Sequence, residues 1–303
     1  MTDEPGKVLE GWKEQSRGQL RGLLDAKGFS GRIDGRDAAA LAAVEQIAVE
    51  ELMLRLLPVA RLYSRPPISN YHVGAVARGV SGDLYLGANI ELPGHSLGFA
   101  VHGEQFALSN AYMHSERGIA AIAVTAAPCG HCRQFMTEFS PAGEIEVLIS
   151  GSAPTKLATL LPMAFGPKDL GFRDGAVPVK EVGLTRPAGQ PGPVTLAAVE
   201  AASRSYAPYT KAHSGIAMGT KAGRIYRGSY IENVAFNPSL PPLQTALAAL
   251  IVAGDSYSDI ASVVLAEIEG SVISQRSAAE ASLASAAPGV KLQRVTVSLA
   301  RAH

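Results

Sequence analysis

The chain has 303 residues, 47% of them hydrophobic, enough for two ordinary cores or one core with an appendage. Charged residues are 18% and formal net charge is zero, which argues against a nucleic-acid partner, because neutralising phosphates takes a surplus of Lys and Arg. Only two cysteines occur, Cys129 and Cys132, which excludes a disulfide scaffold, and no apolar run approaches the ~20 residues that cross a bilayer.

The opening MTDEPGKVLEGWKEQ is polar and lacks the apolar stretch of a secretory signal, so a cytoplasmic protein is expected. Residues 1 to about 64 read as helical, since DAAALAAVEQIAVEELMLRLLPVARLYS places apolar residues at helical spacing until Pro66 and Pro67. Two β-like runs follow, Val73 to Val80 and Leu84 to Ile90, joined by Ser81-Gly82-Asp83 as a hairpin turn. Gly103 to His114 is helical, Ile119 to Thr125 a buried strand, a helix starts near Cys129 and runs through RQFMTEF, and Ile145 to Ile149 is a further strand. The alternation argues for an α/β protein, a three-layer α/β/α sandwich around a mixed sheet. Residues 151–193 are rich in Pro and Gly and read as a connector. The boundaries expected are a helical segment at 1–47, an α/β domain at 48–155, a connector at 156–189 and a second domain at 190–303.

The second domain repeats the first. VGAVARGVSGDLYLGANIEL and SGIAMGTKAGRIYRGSYIEN align with Gly74 on Gly215, Gly82 on Gly223, Tyr85 on Tyr226, Gly87 on Gly228, Ile90 on Ile231 and Glu91 on Glu232. Upstream, Pro67 falls on Pro208 and His72 on His213. After a one-residue gap, His102 falls on Pro242 and Glu104 on Gln244, and no cysteine follows. The second copy is therefore expected to be degenerate and non-catalytic.

The chemistry sits in His102-Gly103-Glu104 and Pro128-Cys129-Gly130-His131-Cys132. Two thiolates and an imidazole make a three-ligand zinc site with one position left for water, the arrangement of a catalytic rather than a structural zinc. Zinc lowers the pKa of its water to about 7, and the start of a helix favours thiolate over thiol. Glu104, two residues after His102, is the candidate proton shuttle. Other readings stand beside this one. A redox C-x-x-C pair would leave His102 and Glu104 idle. A structural zinc would need a fourth protein ligand, for which His131 is awkwardly close to both cysteines. His131 is otherwise a packing residue beside the site. His72, His95, His114, His213 and His303 lack ligand spacing and read as surface or satisfied polar residues.

The pattern H-x-E…P-C-x-x-C is the established signature of zinc deaminases. With ISNYHVGAVARG, GANIEL, VHGEQFALSNA, TAAPCGHCRQFMTEF, LPMAFGPKDL, GRIYRGSYIENVAFNP and LPPLQ, spread over residues 60 to 250, the chain resembles the cytidine deaminases in their long, two-copy, homodimeric form known from some bacteria and plants. The resemblance implies one zinc per chain and hydrolysis of cytidine and deoxycytidine to the uridine nucleosides and ammonia, in pyrimidine salvage. It implies a zinc-bound hydroxide attacking C4 while Glu104 shuttles protons. It places Asn89 and Glu91 at the ribose hydroxyl, Tyr71 and Phe165 at the pyrimidine, and the Gly103 backbone near the base. It also implies a homodimer in which a loop near Ser229 to Phe236 reaches the partner's site. Gly103 departs from the usual Ala, and Ala126-Ala127 from bulkier residues. A nucleic-acid editing deaminase fits poorly with zero net charge and 6% aromatics. A nucleotide deaminase is opposed by Glu91, whose charge would repel a phosphate. A non-enzymatic zinc-stabilised module would leave Glu104 unused.

Overall fold

A computed structural model of the chain describes residues 6–139 and 143–300. His303 and the first five residues of the expected helical segment lie outside the described residues. Contacts divide the chain into two compact units, residues 1–90 with 101–178, and residues 91–100 with 179–303.

The first unit opens with helices α1 (Glu14–Leu24), α2 (Gly35–Glu45), α3 (Val49–Arg55) and α4 (Leu57–Arg61). The Asp34 carboxylate caps α2 by accepting from the Arg36 and Asp37 N–H groups at 2.8 and 3.1 Å. The apolar run that reads as one helix is in fact broken. Gln46 takes a left-handed conformation (φ 62°) that closes α2, and Pro58 starts a new turn at α4. The segment also holds a strand that periodicity does not reveal. β1 (Arg32–Ile33) pairs with β3 (Leu84–Ala88), aided by an Arg32–Asp83 ion pair at 2.7 Å. Two residues are too few to carry an alternation.

The six-stranded sheet has the order β1-β3-β2-β4-β5-β6, with β2 (Gly74–Gly79), β4 (Ile119–Val124), β5 (Glu146–Ile149) and β6 (Thr155–Lys156). Only β4 and β5 are parallel. Period-two alternation splits its residues between two faces. Val76, Leu84, Leu86, Ala121, Ala123 and Leu148 meet Leu20, Leu41, Leu52, Met53 and Val59 of the opening helices in one core. The other face carries α5 (Gly103–Met113), which lies so close to β3 that a Cβ on Gly87 would fall 2.2 Å from Ala107 N and 2.6 Å from Gly103 O. These are three layers, as the pattern predicts. Helix α6 (Gly130–Met136) stops before the TEF of the expected helix, and the connector carries a short α7 (Leu157–Leu160).

The second unit repeats the plan. It has α8 (Pro193–Ser203), β7 (Ser214–Thr220), β8 (Ile225–Ser229), α9 (Pro242–Val252), β9 (Ile260–Ile268), α10 (Arg276–Ala286) and β10 (Leu292–Val297), with sheet order β10-β9-β7-β8. Ala198 and Ala202 of α8 pack on Ala217, Val264 and Ala266. The copies share irregularities that chance would not repeat. A register shift follows Arg78 in one and Gly219 in the other. Asn70 and Lys211 are both left-handed, at φ 54° and 58°. Tyr85 donates to Glu116 at 3.0 Å, and Tyr226 to Asp255 at 2.7 Å.

These contacts also correct the gap between the copies. Gly228 approaches Pro242 O and Ala246 N as Gly87 approaches Gly103 O and Ala107 N. Two residues are therefore missing from the second copy, not one. His102 corresponds to Pro241, Glu104 to Leu243, and Gln105 to Gln244.

Candidate metal centre and active site

Two helix starts on the second face of the first unit build the centre. His102 precedes α5, and its N–H donates to Gln105 Oε1 at 3.2 Å, which fixes the turn. Cys129 is the N-cap of α6 and Cys132 lies in its first turn. The strands set these starts. Thr125 Oγ1 accepts from Gly74 N at 2.9 Å, tying the end of β4 to the start of β2.

His102, Cys129 and Cys132 bring one donor atom each to within 4.8 Å of one another. Cys129 Sγ is 3.7 Å from Cys132 Sγ and 3.5 Å from His102 Nδ1. A tetrahedron with the usual Zn–S and Zn–N bonds needs separations of about 3.8 and about 3.6 Å. The donor set and its spacing therefore fit zinc. Among the described residues no other group of His, Cys, Asp and Glu gathers in this way.

The electrostatics favour a thiolate at Cys129. A hydrogen bond from the Cys132 thiol, aided by backbone N–H groups and His102, lowers the Cys129 pKa to about 4. The same bond, with burial, raises Cys132. Glu104 is buried, and burial raises its pKa against the lowering effects of its own backbone N–H, His102 and the Cys132 thiol. A buried carboxyl touching the metal-ligand cluster can take and return a proton.

His131 does not stand as a fourth member of the donor group. Its ring stacks on His102, with centroids 5.2 Å apart and planes 25° from parallel. Burial, then the His102 charge, lowers its pKa.

The other expected site residues are placed as follows. Asn89 spends three of its four hydrogen-bonding positions on the segment that precedes β2: Oδ1 accepts from Val73 N at 2.9 Å and Ser64 Oγ at 2.5 Å, and Nδ2 donates to Tyr71 O at 2.8 Å. One N–H remains for a ligand. Tyr71 and Phe165 are exposed. Gly103 is buried, and a Cβ there would meet Val73 Cγ1 at 2.9 Å. Glu91 is half-buried and opens the segment 91–100 that groups with the second unit. In the second copy its counterpart Glu232 is fully buried and accepts from Tyr209 N, Thr210 N and Thr210 Oγ1, so that carboxylate is committed internally. Phe236, at the tip of the loop from Ser229, is exposed at φ 63°.

Two residues that the sequence does not single out hold the Phe165 segment. Arg133 bridges Pro128 O and Leu160 O, and Gln134 donates to Phe165 O at 2.6 Å. Of the remaining histidines, His114 bonds Ser30 and Asn110, His213 bonds Ser205, and His95 makes an edge contact with Phe99.

Comparison with known proteins matches this architecture twice. Two profiles described as the cytidine and deoxycytidylate deaminase zinc-binding region cover residues 47–147 and 157–280. A cytidine deaminase of Shewanella pealeana is 43% identical over 275 residues, 91% of this chain and 92% of that one. One of Vibrio cholerae is 40% identical over 278 residues, 92% of this chain and 94% of that one.

The chain belongs to the cytidine deaminase family.

It is an enzyme of the zinc-dependent, hydrolytic kind, and both halves of its length carry the family's fold. The second half matches the zinc-binding profile without zinc ligands. Leu243 stands at the position of Glu104, and no cysteine is present. Among the described residues no helix is long and apolar enough to cross a membrane.

Proposed function

We propose that the protein converts cytidine and deoxycytidine to uridine and deoxyuridine, with water consumed and ammonia released. His102, Cys129 and Cys132 would hold one zinc ion per chain. Zinc, when bound there, makes water acidic enough to act as a nucleophile at neutral pH. Glu104 takes one proton of the attacking water and delivers it to N3 of the ring, then moves the proton of the hydroxyl left on C4 to the amine, so that the C4–N bond breaks with ammonia leaving and the C4 carbonyl forming. Asn89, through its remaining N–H, and Glu91 bind the ribose hydroxyl. Tyr71 and Phe165 flank the pyrimidine, and the Gly103 backbone lies beside it.

The observation that carries this reading is the donor spacing of the trio with a buried carboxyl in contact with it. Residues 48–155 form the catalytic domain after a helical segment at 1–47. Residues 156–189 connect it to a non-catalytic copy at 190–303. The protein works in the cytoplasm as a homodimer. The loop from Ser229 to Phe236 reaches the partner's site, a role supported by the exposed aromatic at its tip.

The test is an ultraviolet assay with cytidine, deoxycytidine and dCMP beside metal analysis of the same sample. Turnover of both nucleosides, about one zinc per chain and little activity on dCMP are expected. Zinc without nucleoside turnover would sink the substrate assignment. A monomeric but fully active protein in sedimentation would sink the dimer.

A further inference from the structure

We propose that Arg133 and Gln134 are positioning residues that set the place of Phe165 at the nucleoside directly from the metal-binding helix. The inference rests on the reading that Phe165 flanks the pyrimidine. Residues 162–165 are exposed, so little packing fixes them. Their place is set at two carbonyls. The Arg133 guanidinium forks between Pro128 O at 2.8 Å and Leu160 O at 2.9 Å. Gln134 Nε2 donates to Phe165 O itself at 2.6 Å. Asp169 then closes the far end by accepting from Gly166 N at 2.7 Å.

Both tethers come from the two residues directly after Cys132, and one of their acceptors directly precedes Cys129. One side chain thus joins the carbonyl before the first thiolate to the base of the Phe165 segment. A planar fork with several fixed donors spans two carbonyls where an ammonium cannot. The consequence is that the wall of the base pocket is referenced to the metal ligands rather than to the looser connector around it. Contacts of Phe165 act on bound substrate and transition state alike, so loss of the tether should appear in KM and not in kcat.

The experiment measures KM and kcat for cytidine, zinc content, and amide hydrogen exchange at residues 161–166. It uses Gln134→Ala, Gln134→Asn, Arg133→Lys, Phe165→Ala and the double variant Gln134→Ala with Phe165→Ala in the full-length zinc enzyme. Gln134→Ala is expected to raise KM about tenfold, the scale of one lost hydrogen bond. It should leave kcat within about twofold and zinc content unchanged, with faster exchange at 161–166. Gln134→Asn, one methylene too short, should do the same, and Arg133→Lys should also raise KM. Because Gln134 acts through Phe165, the double variant should have the KM of Phe165→Ala alone. Multiplied effects in the double variant, or unchanged KM and exchange in both Gln134 variants, would overturn the proposal. Wild-type KM in Phe165→Ala would instead remove Phe165 from the substrate wall, a failure of the underlying reading that the Gln134 exchange data would identify separately.

Discussion

Gly87→Ala probes the tightest approach to a neighbouring backbone among the described glycines of the first unit. The new Cβ would sit 2.2 Å from the Ala107 N and 2.6 Å from the Gly103 carbonyl oxygen, both backbone atoms of α5. Restoring an ordinary contact of 3.4 Å moves the helix about 1.2 Å away from β3. No side chain can rotate to absorb this, so the expected cost is at or above the usual 1–3 kcal/mol of an overpacked core. The displaced helix directly follows His102 and carries Glu104. A shift of about 1 Å in catalytic groups costs on the order of 10²-fold in rate. Urea unfolding followed by far-ultraviolet dichroism would read the first effect, and cytidine turnover per bound zinc the second. A variant with the wild-type midpoint and rate would show that the strand and helix do not approach as described. The reasoning from α5 to the metal centre would fall with it.

Glu104→Gln is expected to retain zinc and to lose turnover by about 10²-fold to 10⁴-fold or more, since the carboxyl in contact with Cys132 is gone; retained turnover would remove Glu104 from proton transfer. Cys129→Ala should lose the metal, and full zinc content in that variant would refute the ligand set. Acid stability should depend on Glu116. Burial alone would raise its pKa, but donors from Ser81, the Arg117 N–H and Tyr85 outweigh burial and hold the carboxyl below its ordinary 4.5. A depressed folded pKa contributes stability above the unfolded value that is lost as pH falls through the folded one. Stability should therefore decline below about pH 4.5, with a smaller decline in Glu116→Gln, measured by urea midpoints across pH; parallel curves would refute the linkage.

Much of this was legible in the sequence because the signals were local. The hairpin around Gly82, the helix after His102, the strand before Cys129 and the two short motifs at His102 and Cys129 each announce themselves within a dozen residues. The two-residue strand β1 was not legible, because its partner in β3 lies about fifty residues on. The break at Gln46 was hidden because a non-glycine residue takes the left-handed turn. Arg133 and Gln134 bond backbone carbonyls, and a carbonyl leaves no mark in a sequence. The gap between the copies was misjudged because a proline pair offers no identity to align. The closeness of Gly228 to α9 and the paired bridges Ile90–Val101 and Ile231–Leu240 set that register.

That register gives one residue of the second copy a history. Gln105 accepts the His102 N–H, whereas its counterpart Gln244 follows Pro241 by three residues, and a proline has no N–H to give. Gln244 is buried, its amide nitrogen donates to Ser282 at 3.2 Å, and its oxygen is unpaired among the described residues. An acceptor kept after its donor is gone costs about 1–3 kcal/mol. The second half thus carries a mismatch at the spot where the first half holds the His102 turn in place. With a proline where the first copy has His102, the second copy has no histidine to hold at this turn and can tolerate the mismatch.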